Sequence, residues 1–235
     1  MYGYHNVPLK IEHDGISISV DRDGEGMLYR RKCRGEEIEK VLLLDKGQIL
    51  INPVEPQQKP KTLTPYFLIE FEKAVVVEPK AKKRLYLKFP IEVGVFVSGQ
   101  DDFNVLDIFT VQNQKFTLYG EVREGVICEH WKSPVYQSVP SIDPLREGVL
   151  ELFINNPTYR WVEVTQVVMN AYGMKIYYSP TMVSMRATMK INTPVVAEVE
   201  FSDSPLYKGM TKAIELYTAR KIKIASTKFV MEWGL

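Results

Sequence analysis

This chain reads as all-β, on three observations. Residues 84–97 (RLYLKFPIEVGVFV) alternate without a break: Leu85, Leu87, Phe89, Ile91, Val93, Val95 and Val97 are apolar, and most residues between them are polar or turn-compatible. A period of two marks a strand with one face in a core. Shorter runs of the same alternation recur along the chain, separated by Gly, Asp, Asn and Pro. Thirteen Tyr and ten Phe suit pleated surfaces, on which aromatic side chains pack well. The expected architecture is two antiparallel, immunoglobulin-like β-sandwiches, residues 1–135 and 146–235, with one short α-helix in the C-terminal half. The Cys-Trp-Cys pattern of true immunoglobulin domains is absent, so the likeness is architectural.

A length of 235 residues allows one large or two medium domains. Thirty Lys and Arg against 29 Asp and Glu leave a net charge of +1, which does not advertise a nucleic-acid or anionic-membrane partner. No apolar run approaches the roughly 20 residues of a membrane helix, and MYGYHNVPLK lacks a signal-peptide apolar region. The expectation is a soluble, cytoplasmic protein. Cys33 and Cys128 exclude a disulfide-rich scaffold and a four-cysteine zinc site; two buried free thiols are the simplest reading, one disulfide the alternative.

In chain order, residues 9–13 and 16–20 form a hairpin around Asp14-Gly15, a type I′ pair. Residues 21–26 turn into a strand at 27–31, and 32–37, densely charged, read as a loop. Strands at 38–45 and 48–52 flank Lys46-Gly47. Residues 52–61 carry three prolines, which remove donors and restrain their neighbours, so a long ordered surface loop is expected. Residues 66–72 and 74–78 are two strands, and 79–83 turn into the long alternating stretch. Pro90 cannot donate to a ladder, so that stretch is either one strand bent there or two strands turning a sheet corner. After a turn at 99–102 come strands at 105–110, 115–119 and 126–131.

Residues 132–147, with Pro134, Pro140 and Pro144 and no period, are the linker candidate. Strands at 148–156, 159–168, 175–178, 183–191 and 195–201 follow. Ser204 as N-cap, Pro205 in the first turn, and Leu206, Met210, Ala213, Ile214 and Tyr217 at helical spacing predict a helix, with Arg220 and Lys221 at its end. A last strand is expected within 224–233.

Chemistry is harder to find. Cys128 and His130 share a strand face, but no HxH, HxxxH or CxxC pattern accompanies them, so neither a metal site nor a Cys–His nucleophile is expected. Asp101-Asp102 read as solvated turn residues, and no GxSxG elbow exists. Basic clusters at 30–34 and 80–84, with Tyr29 and Tyr86, could grip an anionic polymer if they shared a face; solvated strand edges are the plainer meaning.

Residues 51–56 (INPVEP), 89–95 (FPIEVGV), 118–120 (LYG) and 125–128 (GVIC) resemble an archaeal protein family classified only as a domain of unknown function. The resemblance extends over nearly the whole chain. It implies an archaeal source, and with it a somewhat greater chance that Cys33 and Cys128 pair; it implies no activity.

The expected function is therefore a non-enzymatic binding or assembly module with no metal or cofactor, acting through protein or ligand contacts. Its partner would be another protein or a second copy, and no nucleic acid is expected. Long loops on a rigid sheet are where binding concentrates, so the candidate residues are Asn52, Glu55, Tyr119, Glu121, His130 and Trp131. The first alternative is a hydrolase or carbohydrate-active enzyme using Glu92, Asp107 and Glu121, which would need two of them in one cleft about 5–10 Å apart. The second is a nucleic-acid-binding protein using the two basic clusters.

Overall fold

A computed structural model describes residues 1–24, 26–43, 48–57, 63–98, 103–113, 115–219 and 226–235. The chain opens with β1 (Gly3–Asn6), β2 (Leu9–His13), β3 (Ile16–Asp23), β4 (Gly26–Cys33), β5 (Glu36–Leu42) and β6 (Gln48–Val54). Next come β7 (Tyr66–Val77), β8 (Ala81–Pro90), β9 (Glu92–Ser98), β10 (Phe103–Phe109), β11 (Lys115–Tyr119) and β12 (Val126–Ser133). After a connector follow β13 (Glu147–Asn156), β14 (Val162–Asn170), β15 (Tyr177–Ser179), β16 (Met182–Thr193) and β17 (Val196–Ser202). The chain ends with β18 (Thr211–Lys212), helix α1 (Leu216–Ala219) and β19 (Phe229–Met231).

These strands make two sandwich-like bodies, each around its own core. In the first, the sheet β1-β6-β9-β10 faces the sheet β2-β3-β4-β5. Ile18, Val20 and Tyr29 meet Ile51, Val93 and Val95 between them. In the second, β11-β12-β7-β14 faces a sheet running β18-β15-β16-β13-β8, which β17 and β19 extend. Phe67, Ile69, Leu87, Leu150, Leu152 and Met185 are among its core residues. Most ladders are antiparallel; β7 with β12 and β13 with β16 are parallel.

The sheets cross the boundary expected at 132–147. β7 and β8 precede that connector, yet they pair with β14 and β13, which follow it. The β8–β13 ladder runs from Pro90 opposite Glu147 to Ala81 opposite Asn156. The two cores are accordingly assembled from interleaved segments.

The alternating stretch at 84–97 is two strands turning a corner. β8 ends at Pro90 in the second sandwich, and β9 begins at Glu92 in the first, paired with β6 and β10. Even-numbered Glu92, Gly94 and Phe96 are buried as well. The outer face of that sheet is covered: Phe96 packs with Leu50, Val54, Ile108 and Leu216 of α1.

Several local expectations change. Residues 32–37 are not a loop; β4 and β5 run through them and turn at Arg34-Gly35, both with positive φ (52° and 80°). Residues 66–77 form one strand rather than two; β14 pairs with both of its ends, Tyr66–Glu70 and Val75–Val77, across a register shift. The proline-rich stretch is not a surface loop over 52–57, where every residue is buried; 58–61 lie outside the described residues, as do Lys46-Gly47 and Asp101-Asp102. The predicted helix contracts to Leu216–Ala219. Gly209 turns the chain with φ +92°, Thr211 and Lys212 pair with β15, and Ala213 N–H donates to Ile176 O at 2.9 Å. Short helices are marginal without packing, and here sheet pairing takes the residues first. Arg220 and Lys221 lie outside the described residues.

Candidate functional site

The six residues named from the sequence do not meet in one place. Asn52 is buried where β6 leaves the first sandwich; its Oδ1 accepts from Ile214 N–H at 3.2 Å. Glu55, also buried, accepts from Leu216 N–H at 3.4 Å. Both tie the segment entering α1 to the first sandwich. Tyr119 is a tie of another kind: its hydroxyl donates to Gly234 O at 2.9 Å and accepts from Trp233 N–H at 3.2 Å. Glu121 is exposed in the turn after β11, where its carbonyl takes Gly125 N–H at 2.6 Å. His130 pairs with Glu70 at 3.0 Å, beside Lys132. Trp131 is half-buried against the larger core, and its Nε1 has no hydrogen-bond partner among the described residues.

The other constellations also dissolve. Cys33 and Cys128 are free thiols in different cores, and burial pushes the Cys128 thiol up to about 12, so it is no nucleophile. Among the described residues no three His, Cys, Asp or Glu side chains gather as metal ligands. Of the proposed carboxylates, Asp107 is taken up inside the first sandwich, accepting from Tyr29 Oη at 2.9 Å and Arg31 Nε at 2.9 Å. It does not join Glu121, which is exposed, or Glu92, which is buried at the start of β9. Arg31 points inward with Met27, Tyr29 and Cys33 on the alternate positions of β4, so the cluster at 30–34 is no surface patch. Arg30 pairs with Glu39, Lys32 with Glu37, and Arg34 holds Gln112 O and Asn113.

The structure instead gathers a carboxylate group that the pattern does not reveal. Glu55 just after β6, Glu92 at the start of β9 and Glu129 on β12 are all buried, and Glu92 lies close enough to raise the carboxyl of each of the other two. Burial lifts Glu129 to about 9, with Glu92 adding to the shift, and its Oε1 has no hydrogen-bond partner among the described residues. Burial lifts Glu55 to about 7 against the hydrogen bonds it accepts. Desolvation disfavours the charged form of each.

A second feature lies at one end of the second sandwich, in the loop from β13 to β14. Buried Asn156 organises it. Its Nδ2 donates to Val77 O (3.2 Å), Glu78 O (3.0 Å) and Arg160 O (2.9 Å), while Oδ1 accepts from Thr158 N–H (3.1 Å) and Thr158 Oγ1 (2.7 Å). Lys80 N–H adds a bond to Thr158 O at 3.1 Å, and Lys80 Nζ donates to Pro157 O at 2.7 Å. On this braced loop Tyr159 is 84% exposed and Trp161 65% exposed. Lys80 Nζ lies 3.7 Å from the Tyr159 ring centroid, a cation–π contact that steadies the ring. Residues 157–160 and 191–194 line an open cleft of about 520 Å³ beside it.

Sequence reasoning missed this loop because Tyr159 and Trp161 fit the alternation of the strand that follows. The signal was Asn155-Asn156-Pro157-Thr158, four turn-forming residues directly before two large aromatics.

Fold and loop together describe an all-β, two-sandwich protein that holds exposed aromatic side chains on a hydrogen-bonded loop. The chain belongs to the family described as Protein of unknown function (DUF432), whose model matches residues 1–232. Neither a curated protein nor a solved structure matches it. No helix among the described residues is long and apolar enough to cross a membrane.

Proposed function

We propose that the protein is a binding module and that the β13–β14 loop carries its ligand site. The observation behind this is the pairing of rigidity with exposure. Large apolar groups left in water on a loop braced from beneath by a buried side chain are poised for contact, since little ordering remains to be lost on binding. Asn52, Glu55 and Tyr119 act in this reading as ties between segments, whereas Glu121, His130 and Trp131 have no part in the site. A protein partner or second copy would meet Phe116, Leu118 and Ile127, exposed together along β11 and β12.

Tryptophan emission tests the proposal. The wild type and Trp161→Phe would be titrated with pooled glycans, oligonucleotides and peptides. A ligand of one class should shift the wild-type emission, leave the Trp161→Phe emission unmoved, and bind at least about fivefold more weakly to Tyr159→Ala. Ligands that act equally on all three proteins would overturn it.

A second reading, the carboxylate hydrolase, draws support from Glu55, held at about 7 and so suited to exchange protons near neutrality. Hydrolysis of chromogenic glycosides or esters that disappears in Glu55→Gln, in protein that still folds, would favour it over binding alone.

A further inference from the structure

The cations around the aromatic loop narrow the class of ligand. Lys80, Lys82, Arg160 and Lys190 are all exposed, and among the described residues none of them makes an ion pair. The strands bring them together. Lys82 on β8 and Lys190 on β16 both stand opposite Asn155 on β13, at the root of the loop. Two strand spacings put their Cα atoms about 10 Å apart. Lys80 and Arg160 lie on the loop side of that row. The nearby acids only partly offset this charge: Glu78 is taken by Lys83 at 2.6 Å, Glu198 stands opposite Lys190 on β17, and Glu163 is exposed on β14. A net charge of +1 for the whole chain conceals this local excess.

Resting on the reading above, we infer that the Tyr159–Trp161 loop and its flanking cations bind single-stranded nucleic acid. Two requirements select that ligand. Exposed lysines and an arginine that make no ion pair among the described residues favour a polyanion, whose phosphates release counterions on contact. The exposed rings of Trp161 and Tyr159, the latter with Lys80 over one face, favour a ligand with exposed flat faces, which an unpaired base supplies and a duplex hides. A neutral glycan would use the rings but leave the cations idle; a sulfated polysaccharide would use the cations but gain little from the rings. A single strand uses both.

Fluorescence anisotropy of a labelled dT20 strand, measured on the full chain, tests this. Binding is expected at 50 mM salt and should weaken steeply towards 200 mM. Trp161→Ala and Tyr159→Ala should each weaken it by about 5- to 100-fold with the melting temperature unchanged, because both rings are exposed. The Lys82→Ala/Lys190→Ala double variant should flatten the salt slope by about 1.4. Absence of binding at 50 mM salt overturns the inference. So does binding that the aromatic variants leave intact, or equal competition by duplex DNA or heparin, either of which would mark non-specific charge attraction. If dT20 fails while a glycan or peptide still shifts Trp161 emission, the ligand class is wrong and the binding site stands. If nothing moves Trp161, both fall.

Discussion

Glu129 shows how much one buried side chain can say. Burial holds its carboxyl at about 9, against roughly 4.3 for a glutamate in an unfolded chain. Between those values the folded state keeps a proton that the unfolded chain has released, so stability falls as pH rises through that window. Below it both forms are protonated and the group contributes nothing. Glu129→Gln removes the titration. Melting temperature against pH should fall less steeply for the variant from pH 5 to 9, with a relative gain of ~1–3 kcal/mol at pH 8 that vanishes near pH 4. Parallel profiles would mean that Glu129 ionises freely in the folded protein. Neither Glu129 nor Arg31 announces its burial in the sequence. Each occupies a position that alternation assigns to one face of a strand, and whether that face is wet depends on what covers it. Arg31 is tolerated because Asp107, 76 positions away, reaches its Nε; a buried charge without such a partner would be strongly destabilising.

At the level of strands and turns, legibility follows how local the determinants are. The hairpin at Asp14-Gly15 was readable because a tight turn needs positive φ at adjacent residues, and Asp14 and Gly15 supply 45° and 76°. Arg34-Gly35 makes the same kind of turn, but an arginine there carries no turn signal, so the residues predict a loop where a strand pair forms. The helix is shorter than its spacing predicts for the opposite reason. Apolar residues at helical spacing were present, yet β15 offered Thr211 and Lys212 a ladder. One packing detail gives a test of the β8–β13 register. Gly148 stands opposite Phe89, and a Cβ on it would lie 2.4 Å from the Phe89 ring. Gly148→Ala should lower the urea midpoint by an amount worth ~1–3 kcal/mol, and Phe89→Leu in the same chain should recover part of the loss. An unchanged midpoint would place the ring elsewhere.

Across the molecule, the consequence of interleaving is mutual dependence. A fragment of residues 146–235 would lack β7 and β8, leaving the partner edges of β14 and β13 bare and the larger core without Phe67, Ile69, Leu85 and Leu87. We expect that fragment to be unfolded or aggregated, giving an amide NMR spectrum of poor dispersion, while the full chain is well dispersed. A dispersed fragment spectrum would show that the second sandwich closes without those strands. The all-β class, most strands and an interruption at Pro90 were legible in the residues themselves, since period, proline and turn chemistry act over a few positions; that the interruption is a sheet corner was not. Which strands pair across a hundred residues, which polar side chains end up dry, and that Tyr159 and Trp161 stand in water, Tyr159 with Lys80 over its ring, were settled only in three dimensions. Burial and charge balance are properties of neighbours in space, and a linear chain does not carry them.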